Sequence, residues 1–208
     1  MKRLYLLRHG QTEFNVKKLV QGRCDSPLTD LGRKQAGMAA AWLKDHDVVP
    51  DKVVSSPLGR AMDTASLVAT ELLGLDAEVE PCEGIIERSY GTFEEGPHDA
   101  LPTDVWDPGE DLVPFGGEGS RALQERMVGT LTNLMGADGI ETLLAVSHGS
   151  ASRQFIKAVA PGGFEFPTKL PNCAIMIFDF EEEKSGEEGN APQSKFILQQ
   201  IIDPQQSN

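Results

Sequence analysis

Two histidines stand in the same local setting. Leu4 to Leu7 leads into Arg8-His9-Gly10, and Leu143 to Val146 leads into Ser147-His148-Gly149. Each apolar run reads as a buried strand, and in open α/β sheets ligands bind outside the carboxyl ends of the strands. The chain has four histidines, so half of them fall where a ligand would bind. A glycine after each permits a tight turn and close approach of backbone to ligand. An imidazole in that position can act as a nucleophile, a hydrogen-bond donor or a metal ligand. One such strand end alone is more readily a packed core histidine with a turn glycine; its repetition favours a shared site. No metal-ligand spacing accompanies the pair, and the sequence holds no Walker motif, HExxH pair or EF-hand loop. Neither a metal nor a cofactor is therefore expected. His46 and His98 lie in polar stretches and are expected to be solvated.

The elements that must position these residues alternate along the chain, which indicates an α/β layered fold. Lys2 to Arg8 reads as the first strand. Thr29 is a good N-cap for a helix from about Asp30 to Asp45, with Ala36, Ala39, Ala40 and Leu43 on its apolar side. A second strand is expected over Lys52 to Ser55. A helix then begins at Ser56-Pro57, with proline near its first position, and stops around Gly74. Ala77 to Pro81 reads as a short strand and Glu83 to Tyr90 as irregular. Glu94 to Gly119, rich in Gly, Pro and acid, reads as a long cap-like loop of a kind often used as a lid. A helix over Ser120 to Met135, a strand over Thr142 to Ser147 and a helix over Ser150 to Val159 follow. Strands at Ala174 to Phe180 and Lys195 to Ile202 flank a charged loop from Glu181 to Ser194. That last pair is expected to be antiparallel at a sheet edge.

Here the sequence resembles the histidine phosphatase superfamily, which includes the cofactor-dependent phosphoglycerate mutases. The opening LYLLRHGQTEFN is similar to that family's RHG signature, in which the histidine takes the phosphoryl group. The pattern continues as Gln21-Gly22, Ser26-Pro27-Leu28-Thr29 with Gly32, and Ser55-Ser56-Pro57-Leu58-Gly59-Arg60-Ala61 with Thr64-Ala65. Glu87 with Gly91, Gly116-Gly117-Glu118, Ser147-His148-Gly149 and Asn172 follow in the family's order. The resemblance implies one domain over residues 1–208, a three-layer α/β/α sandwich whose mostly parallel sheet has one antiparallel edge strand. It implies phosphoryl transfer without a metal, with His9 as nucleophile, Glu87 as general acid and base, and Arg8, Arg60 and His148 completing the catalytic set. Asn15, Gln21, Gly22 and Gly149 are implied as further phosphate-binding positions.

The chemistry of these residue types agrees with that assignment. Phosphoryl transfer needs in-line positioning and cancellation of charge on the equatorial oxygens. Arg8 and Arg60 each offer a planar fork of donors to phosphate oxygens. Their positive charge should also hold His9 neutral and nucleophilic near neutral pH. Within the resemblance, a phosphatase passes the phosphoryl group to water, whereas a mutase returns it to another hydroxyl. Family mutases carry basic residues in the insertion after the catalytic glutamate; here no Lys or Arg occurs between Arg88 and Arg121, and the stretch is rich in Asp and Glu. That acidity would repel a bisphosphorylated ligand and favours a phosphatase of small phosphorylated metabolites. On the mutase side, Glu87-Arg88-Ser89-Tyr90-Gly91 is similar to the mutase block. There Arg88 would contact a substrate carboxylate, and Lys17, Lys18 and Arg23 lie near the phosphate positions in sequence.

At 208 residues the chain is long enough to bury a full core, and 39% hydrophobic with 25% charged residues is ordinary for a globular protein. Its net charge of -13 disfavours nucleic-acid binding and requires that any phosphate site gather its cations locally. The apolar run after Met1-Lys2-Arg3 is too short for a signal peptide or a membrane span, so a cytoplasmic protein without membrane partners is expected. Cys24, Cys82 and Cys173 are odd in number and far apart, which argues against a disulfide framework or a structural zinc. Trp42 is expected to pack against its helix's core side, and Trp106 lies in the long loop within reach of a substrate. Nothing in the sequence specifies an oligomeric state.

Overall fold

The computed structural model describes residues 1–160, 170–182 and 195–206. Six strands form one sheet: β1 (Lys2–Arg8), β2 (Lys52–Ser55), β3 (Glu80–Pro81), β4 (Thr142–Ser147), β5 (Ile175–Glu181) and β6 (Lys195–Ile202). Their spatial order is β3-β2-β4-β1-β5-β6. The β1, β2, β3 and β4 pairings are parallel, and β5 runs antiparallel to both β1 and the edge strand β6. The antiparallel pairing thus lies at one edge of a mostly parallel sheet, one strand further in than the outermost.

Alternation along the central strands explains the layering. Successive side chains of a strand point to opposite faces, and here both faces are apolar. Leu4, Leu6, Leu143, Ala145, Met176 and Phe178 face one core, and Tyr5, Leu7, Leu144, Val146, Ile175 and Ile177 face the other. The first core is closed by α4 (Ser120–Met135) and α5 (Gly149–Val159) through Leu123, Met127, Leu131, Phe155 and Ile156. The second is closed by α2 (Asp30–Asp45) and α3 (Gly59–Leu73), whose small Ala36, Ala39, Ala40, Ala61, Ala65 and Ala69 let the helices lie close to the sheet. The result is a three-layer α/β/α sandwich. No helix among the described residues is long and apolar enough to cross a membrane.

Several boundaries differ from those the sequence indicates. α2 begins where expected, with Thr29 Oγ1 accepting from the Gly32 amide at 3.0 Å. α3 does not begin at Ser56-Pro57. The Ser56 amide still donates to the Val146 carbonyl (2.9 Å), continuing the sheet ladder. The helix starts instead at Gly59, whose amide is capped from a distant loop by Asp25 Oδ2 at 2.9 Å. The strand expected over Ala77 to Pro81 shortens to Glu80–Pro81, the two residues that reach β2. Between β1 and α2 the sequence showed no element, yet Glu13–Lys17 forms a short helix, α1, closed by a capping box between Thr12 and Asn15. The segment 94–119 carries two 3-10 turns, His98–Ala100 and Val113–Phe115. Most of the charged loop expected from Glu181 to Ser194 lies outside the described residues.

Candidate active site

The register of β1 on β4 determines what meets at the carboxyl end of the sheet. Arg8 pairs with Ser147, so the residues one step further, His9 and His148, emerge side by side. Their rings stand edge to face with centroids 5.2 Å apart. In front of them opens a cavity of about 260 Å³. Arg8, His9, Asn15, Gln21 and Gly22 line it from the β1 side, and Arg60, Glu87 and Gly149 from α3, the irregular stretch after β3 and the start of α5. Eight of the nine residues singled out in the sequence therefore share one cavity, and His148 is buried directly behind it.

His9 is held in one tautomer. Its Nδ1 lies 2.7 Å from the Gly10 carbonyl, which can only accept, so Nδ1 carries the proton and Nε2 keeps a lone pair. Burial, then the charges of Arg60 and Arg8, hold its pKa well below the usual histidine value. His148 is lowered in the same direction, again by burial first and then by Arg60 and His9. Its Nε2 lies 2.6 Å from Ser56 Oγ, while its Nδ1 is buried with no hydrogen-bond partner among the described residues.

The two arginines are almost wholly buried, Arg8 at 3% and Arg60 at 1% exposure. Arg60 donates from Nη1 to the Cys24 carbonyl and from Nη2 to the Gly22 carbonyl, both at 2.7 Å, and lies 3.6 Å from Asp25. Arg8 donates from Nη1 to the Leu170 carbonyl and forms no ion pair among the described residues. The Nε atoms of both lack a partner among the described residues. Desolvation pushes the Arg8 pKa down to about 10, and that of Arg60 in the same direction. Two cations so poorly neutralised are costly unless an anion joins them, which is the electrostatic character of an oxyanion site.

Glu87 is not a solvated surface carboxylate. It is buried, with Oε1 accepting from the Arg88 amide (2.9 Å) and the Ala151 amide (2.8 Å) and Oε2 from the Ser150 amide (3.2 Å). It thereby caps the amino end of α5, where a negative charge is favoured. Oε2 holds the single longer bond and retains capacity to exchange a proton with a ligand.

The amides are oriented by what their oxygens accept. Asn15 Oδ1 takes bonds from the Thr12 amide (3.1 Å) and from Asn172 Nδ2 (3.2 Å). Gln21 Oε1 takes the Thr12 hydroxyl proton at 2.9 Å. Both side chains therefore present their NH2 groups as the remaining donors. Gly22 adopts φ +53°, and a Cβ there would lie 2.3 Å from Glu94 Oε1, so only glycine suits the position.

Other residues stand differently from expectation. Arg88 does not reach the cavity. It is fully buried, donating to Ser150 Oγ, Ser120 Oγ and the carbonyls of Gly109 and Glu118 at 2.7–3.2 Å, so it ties the 94–119 segment to α4 and α5. Lys17 pairs with Glu13, and Arg23 with Glu118, outside the cavity, whereas Lys18 lines it. His98 is not simply solvated: its Nε2 lies 3.1 Å from the Leu19 carbonyl, and it lines the cavity beside Tyr90, Val105 and Trp106. His46 is exposed and stacks on Trp42. Asp25, which caps α3 and faces Arg60, was missed, because nothing local in the sequence links it to either. Among the described residues no three His, Cys, Asp or Glu side chains cluster so as to hold a metal.

The chain is similar to known proteins along most of its length. A probable phosphoglycerate mutase, GpmB, of Yersinia pestis is 30% identical over 192 residues, covering 88% of this chain and 86% of that protein. A phosphoserine phosphatase mutant of Entamoeba histolytica, solved in complex with phosphoserine, is 28% identical with a TM-score of 0.75, over 99% of this chain and 98% of that one. YhfR of Bacillus stearothermophilus is 25% identical with a TM-score of 0.78, over 95% of each chain. The family model of the histidine phosphatase superfamily, branch 1, matches residues 4–188, and the chain belongs to that superfamily.

Proposed function

We propose that this protein is a phosphomonoesterase that hydrolyses small phosphate esters through a phosphohistidine at His9, without a metal. The observation that carries the reading is the His9 imidazole, with Nδ1–H committed to the Gly10 carbonyl and Nε2 left with its lone pair, in a cavity also lined by the buried Arg8 and Arg60. His9 Nε2 attacks phosphorus in line. Arg8, Arg60 and His148 donate to the equatorial oxygens as charge spreads over them. Glu87 protonates the leaving alkoxide; the resulting carboxylate then takes a proton from the water that attacks the phosphohistidine, a contribution of about 10²–10⁴-fold. Asn15, Gln21 and the backbone at Gly22 and Gly149 hold the remaining oxygens.

The choice of phosphatase over mutase rests on the 94–119 segment. Its contributions to the cavity wall are His98, Val105 and Trp106, with no Lys or Arg. The arginine nearest the catalytic glutamate in sequence, Arg88, has its donors engaged by the protein. A second phosphate would find no cation there. The Entamoeba histolytica phosphatase was also solved with 3-phosphoglyceric acid, which supports small phosphorylated acids as the substrate class. The mutase is the second reading, favoured by Lys18 at the cavity wall and by the Yersinia pestis relative's name.

The test is phosphate release from an aryl phosphate in the presence of chelator, comparing wild type with His9→Ala. Release that is lost in the variant is expected. Absence of release together with isomerisation of 3-phosphoglycerate would replace the phosphatase by the mutase.

A further inference from the structure

We propose that Trp106 is a positioning residue for Arg8, and that an Asp107–Lys157–Gln154 latch on α5 holds it in place. The inference rests on the reading of Arg8 as a phosphate ligand.

Arg8 has little else to orient it. One of its nitrogens donates to the Leu170 carbonyl, and among the described residues its Nε has no partner and no carboxylate pairs with it. What remains is the indole of Trp106, over which the guanidinium carbon lies 5.6 Å from the ring centroid. That is cation–π distance, and burial strengthens the attraction. The edge of the guanidinium and the edge of the indole meet at Gly149. A Cβ there would stand 3.2 Å from both Arg8 Nε and Trp106 Cζ3, so glycine lets the two rest together.

Trp106 comes from the long segment between Glu87 and α4, and that segment is pinned on both sides of it. Tyr90 OH donates to the Val105 carbonyl at 2.7 Å. The Trp106 amide donates to Asp104 Oδ1 at 3.0 Å, closing a turn. Asp107 accepts from Gln154 Nε2 at 2.9 Å and forms an ion pair with Lys157; Gln154 is itself held by Gln124 at 2.8 Å. Arg88 reaches the Gly109 carbonyl two residues further on. α5 therefore supports the site twice. Its amino end holds Glu87, and its body, through Asp107, holds the indole that orders Arg8.

An arginine displaced by an ångström can cost about 10²-fold in rate, so the indole should matter although it need not touch the reacting atoms. Trp106→Leu removes the π face, and Trp106→Phe, also smaller than tryptophan and closer in bulk to leucine, keeps a face, so the difference between the two variants reads the ring contact. Wild type, these two variants, Lys157→Met and Arg8→Ala are compared for kcat and KM on an aryl phosphate and for inhibition by inorganic phosphate. The expected result is a ten- to hundredfold loss of kcat/KM and a weaker phosphate inhibition constant in Trp106→Leu. Trp106→Phe should restore most of both, and Lys157→Met should fall between. In a Trp42→Phe background, where Trp106 is the remaining tryptophan, phosphate should change its fluorescence with the same constant as it inhibits. Trp106→Leu with kcat/KM and phosphate inhibition within twofold of wild type, while Arg8→Ala is inactive, would overturn the inference and leave the phosphatase reading standing. Full activity in Arg8→Ala would overturn the reading of Arg8 itself, and the inference with it.

Discussion

Arg8 is buried, paired with no carboxylate among the described residues and pushed down in pKa to about 10, chiefly by desolvation. A guanidinium ordinarily titrates above pH 12, so the fold lowers its proton affinity by more than a hundredfold; at about 1.4 kcal/mol per tenfold this amounts to about 3 kcal/mol. The sign follows from the direction. Below about pH 10 the side chain is charged in both folded and unfolded chains, and the folded chain bears the full cost. The cost is relieved only as pH rises from about 10 towards the unfolded value. Arg8→Met removes the charge and keeps a flexible stem of similar bulk. The lost hydrogen bond to Leu170 offsets about 1 kcal/mol and the lost contact with the Trp106 ring about 1 kcal/mol more, leaving a net stabilisation of about 1 kcal/mol. For a chain of this size that is a rise of about 2–4 °C in Tm. Activity should move the opposite way. A cation about 4 Å from a phosphoryl oxygen is worth about 4 kcal/mol at an effective dielectric near 20, or about 10³ in kcat/KM. The assay is thermal unfolding at pH 7.5 with and without inorganic phosphate, beside kinetics on an aryl phosphate. Phosphate at a hundredfold its Kd should stabilise wild type by about 2.7 kcal/mol and the variant far less. An Arg8→Met protein that melts well below wild type in the absence of phosphate would refute the reasoning and make Arg8 a structural residue.

Three further predictions concern the same cavity. Glu87→Gln should lower kcat by about 10²–10⁴-fold while the fold survives, because an amide oxygen can still accept from Arg88 and Ala151; circular dichroism with single-turnover kinetics checks both halves. His9 and His148 are buried with pKa values held well below the usual histidine range, so the unfolded chain binds protons that the folded chain refuses. Their contribution to stability is complete above about pH 6.5 and is lost as pH falls below it, which denaturant titrations from pH 8 to 5 will register. Gly22→Ala places a methyl group against Glu94 at a positive φ and should cost about 1–3 kcal/mol, with weakened inhibition by phosphate.

Much of the architecture was legible because it depends on local patterns. The continuous apolar runs of β1 and β4, each ending in His-Gly, indicated buried parallel strands and a shared ligand crevice, and the register Arg8 to Ser147 brings their histidines together. Thr29 and the alanines of α2 marked that helix to the residue. What escaped depended on partners remote in sequence. α3 starts at Gly59 because Asp25 caps it from another loop, and no local signal at Ser56-Pro57 reveals this. α1 is too short to show a helical period. Arg88 looked available to a substrate, since its sequence neighbours are those of the site. Its side chain turns inward to Gly109, Glu118, Ser120 and Ser150, which are its neighbours only in the fold. His98 was read as solvated from its polar flanks, yet its segment folds back so that it lines the cavity beside Leu19. Glu87 was legible through the resemblance alone; its anchorage by three backbone amides belongs to the tertiary structure.

The most direct test of the central claim is to trap the phosphoenzyme. Wild-type protein is mixed with a phosphate ester in the presence of chelator and quenched at alkaline pH within one turnover; peptide mass spectrometry maps the residue, and phosphorus NMR at alkaline pH identifies the phosphorylated nitrogen. The account predicts an acid-labile, alkali-stable phosphoryl group on His9, at Nε2, because Nδ1 is committed to the Gly10 carbonyl. Phosphate on Nδ1, on another residue, or in an acid-stable linkage would contradict it.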